Sequence, residues 1–210
     1  MLCQICETRK PRRHCPGVRG DICAPCCGTE REVSVSCPLD CEYLLESREH
    51  ERPVEIDPAT IPNADIRVTE EFLEKQQELT NYLTMALLNA SLSTPGAVDM
   101  DIREALEAMI KTYRTRQSGL IYETRPSNPI AGALQQHLQN AVEQFQQALA
   151  QRTGMSTLRD ADVLGVLVFL QRFELQVSNG RPRGRAMMSI LLRQFHPGQG
   201  PAEAPSLIAP

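Results

Sequence analysis

The sequence predicts a mostly α-helical protein with a small cysteine-rich domain at its N-terminus. Two observations predict this fold. All eight cysteines of the 210-residue chain lie between Cys3 and Cys41, and five later segments show helical spacing of apolar residues. We therefore expect a small two-zinc finger followed by a five-helix bundle. The predicted parts are a zinc-binding domain at 1–52, a proline-rich linker at 53–68, an α-helical domain at 69–196 and a disordered tail at 197–210.

The compartment decides whether clustered cysteines form disulfides or bind a metal. The chain starts "MLCQICETRKPRR", which has cysteines where the apolar core of an export signal would lie. Its longest apolar run, "VLGVLVFL", is too short to span a bilayer, so we expect no membrane association. These features favour a cytoplasmic protein, in which thiols stay reduced and clustered cysteines bind metal more often than they form disulfides.

The cysteine spacing predicts two tetrahedral zinc sites. Cys3 with Cys6, and Cys23 with Cys26, are CxxC pairs that can each hold one ion from a tight turn. Cys27 directly follows Cys26, and adjacent side chains of an extended chain point to opposite faces, so we assign these two cysteines to different ions. The first predicted site is Cys3, Cys6, Cys23 and Cys26; the second is Cys15, Cys27, Cys37 and Cys41.

Two features of the second site stay open at this stage. "CPLDCEYLLESREHE" resembles a helix start with Cys37 at the cap and Pro38 at the first position, which would put Cys37 and Cys41 on one helix face. Either His14 or His50 is an alternative ligand in place of one thiolate. The pairing of cysteines with ions is equally open.

The interleaved order of the two ligand sets resembles the cross-brace zinc fingers, such as the RING, MYND and HIT-type families. The resemblance covers about 40 residues and departs from those patterns, because Cys15 has no CxxC partner and all ligands are cysteines. The chain as a whole resembles an uncharacterised bacterial family in "CPGVRGDICAPCCGTEREVSVSCPLDCEYL", "IYETRP" and "LGVLVFLQRFELQ". That resemblance implies no activity.

Five helices are predicted after the linker. The first begins at Thr69 as its cap, the third begins at Asn128 and Pro129, and the fourth is apolar on nearly every side and should be central and buried. The segments are Thr69 to about 91, about 100–117, 129–153, about 160–178 and about 182–195.

A closed tetrathiolate site organises structure, and the chain has no nucleophile–base pattern, so we expect a protein that is not an enzyme. The leading interpretation is a zinc-binding adaptor for a protein partner. The first alternative is a nucleic-acid- or ribosome-associated regulator, although a net charge of −4 and the absence of Trp argue against it. Its basic residues would be Arg9, Lys10, Arg12, Arg13, Arg181, Arg183 and Arg185. The second alternative is a redox sensor that releases zinc when a thiolate reacts.

Overall fold

The computed structural model describes residues 1–51, 55–120, 122–154 and 158–195. Within these ranges the chain is mostly helical, with one small sheet near the N-terminus. In chain order the elements are β1 (Arg13–Cys15), β2 (Gly20–Ile22), α1 (Ala24–Glu30), α2 (Glu42–Glu49), α3 (Glu70–Lys75), α4 (Gln77–Ser93), α5 (Asp99–Gln117), α6 (Pro129–Thr153), α7 (Asp160–Val177) and α8 (Ala186–Phe195), with a 3-10 turn at Pro58–Thr60. No helix among the described residues is both long and apolar enough to cross a membrane.

Backbone contacts divide the chain into two compact units. The cysteine-rich unit consists of the described residues of Met1–Pro53 and Asn179–Pro210, and the helical unit consists of those of Val54–Ser178. The structure thus groups α8 with the cysteines, whereas the predicted helical domain runs to residue 196. The predicted tail, 197–210, lies outside the described residues.

The cysteine-rich unit has a core made largely of its cysteines. β1 and β2 form an antiparallel hairpin in which Cys15 faces Gly20. Ile22 at the end of β2 and Leu44 in α2 are 1% and 0% exposed, and they pack in one cluster with the buried cysteines. Val35 is a third buried apolar side chain of this cluster, and so small a cluster gives metal binding a large share of the free energy that holds it together.

The C-terminal turn "NGRPRGR" joins this unit through a buried carboxylate, Glu32. The Oε1 atom of Glu32 accepts hydrogen bonds from Arg48 Nη2 at 2.7 Å and from the backbone N–H of Arg185 at 2.9 Å, and its Oε2 accepts from Asn179 Nδ2 at 2.8 Å. The Glu32 side chain is 0% exposed and that of Arg48 is 6% exposed. Because a buried charge needs such partners, this network explains why the segment from Asn179 onward belongs with the cysteines.

The prediction of five helices is wrong. The first predicted helix breaks at Gln76 into α3 and α4, so six helices follow Thr69 in the described residues, and α1 and α2 precede it. The break accompanies a close approach: a Cβ on Gly165 of α7 would lie 2.4 Å from the Phe72 ring of α3. The last helix begins at Ala186, because Pro182 lies in the turn that precedes it.

Helix α7 is buried in the helical unit, as its apolar sequence predicts, and it packs on α5 and α4. Val163, Val166 and Leu167 of α7 are 0% exposed. The cap predictions are confirmed where side chains accept the first backbone N–H groups, at Thr69 from Phe72 and at Asn128 from Ile130. Helix α6 ends at Gly154, whose φ of 74° favours glycine.

Two arginines attach the linker to this unit. Arg114 of α5 donates to Asn63 and binds Asp65 through both terminal nitrogens, and Arg172 of α7 donates to the backbone oxygens of Asn63 and Ile66. These contacts hold residues 63–66 of the predicted linker against α5 and α7.

Candidate metal centre

Four cysteines of the first predicted set converge in the cysteine-rich unit. The Sγ atoms of Cys3, Cys6, Cys23 and Cys26 all lie within 4.8 Å of one another. Cys6 Sγ is 3.9 Å from Cys23 Sγ. Cys3, Cys23 and Cys26 are 0%, 2% and 6% exposed, and only Cys6 is half-buried. We call these four residues the tetrathiol cluster.

Two turns hold the tetrathiol cluster together. The first turn carries Cys3 and Cys6, and it is closed by hydrogen bonds from Cys3 N to Arg9 O and from Glu7 N to Cys3 O. Glu7 has a φ of 53°, a left-handed conformation that lets the chain reverse directly after Cys6. The second turn is the start of α1, where Cys23 is the cap and Cys26 lies in the first turn of the helix.

Donors around the sulfurs are arranged for thiolates. The backbone N–H of Cys23 donates to Cys3 Sγ at 3.2 Å, and the hydroxyl of Thr8 donates to Cys6 Sγ at 3.3 Å. The Thr8 hydroxyl, with the N–H groups of Thr8 and Arg9, lowers the pKa of Cys6 to about 5. A neutral thiol is a weak acceptor, so donors aimed at sulfur are typical of sulfurs that carry charge.

A cation at its centre would let the cluster release its last proton. The hydrogen bond between Cys26 and Cys23, followed by burial and by hydrogen bonds to Cys6 and Cys3, raises the pKa of Cys26 to about 12, so without a metal this thiol keeps its proton. Arg9 supplies one positive charge beside the cluster: Cys23, followed by Cys6, raises the pKa of its guanidinium. A divalent metal would displace the proton of Cys26 and hold all four sulfurs as thiolates.

The donor set fits zinc. Soft thiolates select zinc, copper(I) and iron–sulfur clusters, and a tetrahedral set of four cysteines is typical of structural zinc. Cys3, Cys6, Cys23 and Cys26 would hold the ion and fill its coordination shell. Such a site stabilises the fold of a small unit and leaves no position for a reacting water.

The second predicted set is not gathered in the same way. Within the described residues the structure brings only one group of cysteines to metal-binding distance, so no three members of the set Cys15, Cys27, Cys37 and Cys41 meet that spacing. The expected helix at Cys37 is wrong: residues 38–41 form a turn, closed by a bond from Cys41 N to Pro38 O, and α2 begins after Cys41. The two cysteines therefore do not share a helix face.

The two adjacent cysteines are separated for a different reason from the one expected. Cys26 and Cys27 both lie in α1, so the argument from extended backbone is wrong. Adjacent residues of a helix are about 100° apart around its axis, which also separates their side chains. Cys26 belongs to the tetrathiol cluster and Cys27 does not.

The two histidines considered as ligands lie outside the tetrathiol cluster. His14 is exposed and its Nδ1 lies 3.1 Å from Asp21 Oδ1. His50 is exposed and caps the C-terminus of α2 through its backbone N–H.

The arginines of the "GRPRGR" turn have partners within the cysteine-rich unit. Arg181 donates to the carbonyl oxygen of Arg31, Arg183 donates to Ser36 Oγ at 2.6 Å, and Arg185 donates to the carbonyl oxygen of Cys37. These contacts hold the segment 31–37, which leads to Cys37. They explain the arginines of the turn without a nucleic-acid ligand.

Sequence reasoning missed Glu32, Arg48 and Thr8. Each is a polar residue with no motif around it, and Glu32 lies in a loop that reads as solvent-exposed. The one signal available is the arginine-rich turn far along the chain, which has few acidic neighbours of its own and therefore needs acceptors from elsewhere.

Comparisons with protein-family models, with curated proteins and with solved structures give no match. The assignment of a metal centre rests on the geometry and donor chemistry of the four cysteines.

Proposed function

We propose that the chain is a non-enzymatic zinc-binding protein whose cysteine-rich unit recognises a protein partner in the cytoplasm, as an adaptor or regulator. The observation that supports it best is the tetrathiol cluster, whose four sulfurs lie within 4.8 Å of one another. Three of the four cysteines are buried. Four thiolates complete a tetrahedral shell, so the ion holds a shape and does not activate water.

Exposed apolar residues on the cysteine-rich unit favour a protein partner. Leu2 directly precedes Cys3 and is 59% exposed, and Val33 directly follows the buried Glu32 and is 41% exposed. Leu2 adjoins a ligand of the tetrathiol cluster and Val33 adjoins the buried Glu32, and backbone that metal binding orders beforehand would lower the entropy cost of docking. A partner that covers these two side chains would gain apolar burial, whereas the net charge of −4 disfavours a general polyanion ligand.

The order of the cysteines along the chain also suits the cross-brace arrangement, in which a second ligand set alternates with the first. The proposed recognition role depends on the tetrathiol cluster alone and does not require a second ion.

The nucleic-acid alternative now depends on fewer residues. Arg9 lies against the tetrathiol cluster and Arg13 against Cys27 and Tyr43, so this alternative would have to use Lys10 and Arg12 of that loop. The redox alternative requires a thiolate that leaves its ion under mild peroxide, and half-buried Cys6 is the member of the tetrathiol cluster that peroxide reaches most easily.

Cobalt substitution of the full chain tests the structural role of the ion. We expect the intense visible bands of a tetrahedral cobalt–thiolate site, unchanged between about pH 6 and pH 9, because a closed site has no bound water to ionise near pH 7. A matched variant, Cys6→Ser, removes one of the four ligands and should lose the part of the cobalt–thiolate spectrum that the tetrathiol cluster contributes. A pH-dependent spectrum in the unsubstituted protein would contradict the proposal and indicate a catalytic metal.

Site-specific cross-linking tests the recognition surface. A photo-cross-linkable residue at position 2 should capture a protein in the native cell extract when zinc is bound, and capture should fall strongly after chelation. The matched control carries the same residue in place of exposed Tyr122 of the helical unit. Equal capture from both positions, or capture that survives chelation, would count against the cysteine-rich unit as the recognition surface.

A further inference from the structure

Four cysteines outside the tetrathiol cluster lie on four segments that the structure brings together. The turn after β1 contacts the segment before Cys37: a Cβ on Gly17 would lie 2.7 Å from the backbone oxygen of Ser36 and 2.7 Å from a Val35 methyl carbon. Gly17 is two residues after Cys15 and Ser36 directly precedes Cys37, so this contact joins the two segments that carry these cysteines. Both cysteines are buried, at 8% and 7% exposure.

Arg13 connects the other two segments to the same place. It lies in β1, two residues before Cys15, and its Nη1 donates to Cys27 Sγ at 3.5 Å. Its guanidinium also stacks on the Tyr43 ring, 4.1 Å from the ring centre, and Tyr43 is two residues after Cys41. One side chain therefore holds α1 and the start of α2 against the strand that carries Cys15.

Two guanidinium groups face Cys27. Arg31 Nη2 is a second donor to Cys27 Sγ, at 3.7 Å. Donors placed in this way suit a sulfur that is bound to a metal as a thiolate. Cys27 and Cys41 also pack against the cluster of buried side chains that contains Cys15 and Cys37, together with Cys3, Cys23 and Cys26.

We infer that Cys15, Cys27, Cys37 and Cys41 form a second site for a soft divalent cation, zinc, as a tetrathiolate with Arg13 and Arg31 as outer donors to Cys27. The inference goes beyond the tetrathiol cluster, since it concerns the other four cysteines. The second set is more open, with no three of its sulfurs within 4.8 Å of one another. Rotation of χ1 from one staggered well to the next moves a cysteine sulfur by about 3 Å, which is the scale of movement that closes the set around an ion.

The test is a cobalt titration of the full chain under reducing conditions, with thiol accessibility measured at each point. We expect two equivalents with tetrahedral thiolate spectra and protection of all eight thiols. Cys37→Ser should remove one equivalent and leave the tetrathiol cluster loaded. Cys6→Ser should remove the other, so each set is the matched control for the other.

A ligand exchange covers the case in which Cys37→Ser fails to fold. Cys41→His keeps a metal ligand at this position, and we expect two equivalents with a shifted cobalt charge-transfer band, because an imidazole replaces one thiolate. One equivalent in the unsubstituted protein, lost in Cys6→Ser and spectrally unchanged in Cys41→His, would overturn the second site and leave the proposed function standing. One equivalent that Cys6→Ser leaves intact and Cys41→His alters would instead support the second site and contradict the tetrathiol cluster.

Discussion

Replacing the buried carboxylate of Glu32 should weaken metal binding although Glu32 is not a ligand. Glu32→Gln keeps the shape of the side chain and removes its charge. The two oxygens of Glu32 accept three hydrogen bonds, from Arg48, Asn179 and the backbone of Arg185. The amide of Gln has one oxygen and one NH2 group, so in either orientation a donor faces a donor, and Arg48 loses its buried counter-charge.

The size of the effect follows from the burial of the pair. Side-chain exposures of 6% for Arg48 and 0% for Glu32 exclude solvent as a replacement partner. Loss of one partner of such a pair costs about 3–5 kcal/mol of folding free energy. Because folding and metal binding of a small metal-dependent unit are coupled, the apparent zinc affinity should fall by roughly 100- to 4,000-fold, at about 1.4 kcal/mol per factor of ten.

Competition with a chromophoric chelator measures that affinity directly. The matched control is Glu30→Gln, two residues away, where the carboxylate accepts a hydrogen bond from Ser34 and remains partly exposed. We expect the control to change the affinity by less than about threefold, under ~1 kcal/mol. If Glu32→Gln behaved like the control, the reasoning that the buried network supports the metal centre would be refuted.

Three further predictions concern the two units separately. Chelation of the metal should abolish hydrogen-exchange protection in α1, α2 and α8 together and leave α5 and α7 protected, as measured by mass spectrometry. Loss of protection only before residue 52 would contradict the grouping of α8 with the cysteines. Arg103→Met should destabilise the helical unit by about 3–5 kcal/mol in denaturant unfolding, because it leaves the buried Glu174 unpaired. Adding Glu174→Leu should recover most of the lost stability. Equal stability of the single and double variants would contradict the cost of an unpaired Glu174. Burial raises the pKa of Tyr113 to about 12, so the folded state disfavours its phenolate. The neutral phenol therefore contributes stability that is complete below the unfolded pKa of about 10 and is lost as pH rises through about 12. The hydrogen bond to Glu42 raises the pKa of Tyr43 as well, so the absorbance titration of the unsubstituted protein is compared with that of Tyr113→Phe, which should lose the latest phase. An unchanged late phase in that variant would exclude the assignment.

The elements that the sequence predicted correctly are those governed by local rules. Asn128 and Pro129 start α6 and Gly154 ends it because capping and left-handed backbone depend on a few adjacent residues. The continuous apolar surface of α7 predicted its burial for the same reason. The CxxC spacing likewise identified the tetrathiol cluster, since each pair fixes two ligands within a single turn.

The features that the sequence did not predict depend on distant residues. Contacts between residues 179–185 and Glu32, about 150 positions earlier, join α8 to the cysteine-rich unit, and no local sequence pattern predicts such a pairing. The break between α3 and α4 accompanies Phe72 lying against Gly165, which again joins distant positions. The predicted start of α2 is wrong because Pro38 suits both the first turn of a helix and the turn that precedes Glu42.

The most direct test of the metal centre is an anomalous-scattering map of crystals of the zinc-loaded chain, recorded on either side of the zinc absorption edge. We expect a zinc peak about 2.3 Å from each sulfur of Cys3, Cys6, Cys23 and Cys26, with no water in its coordination shell. A map without a peak between these four sulfurs, or a disulfide joining Cys6 to Cys23, would contradict the central claim that this cluster holds a structural zinc ion.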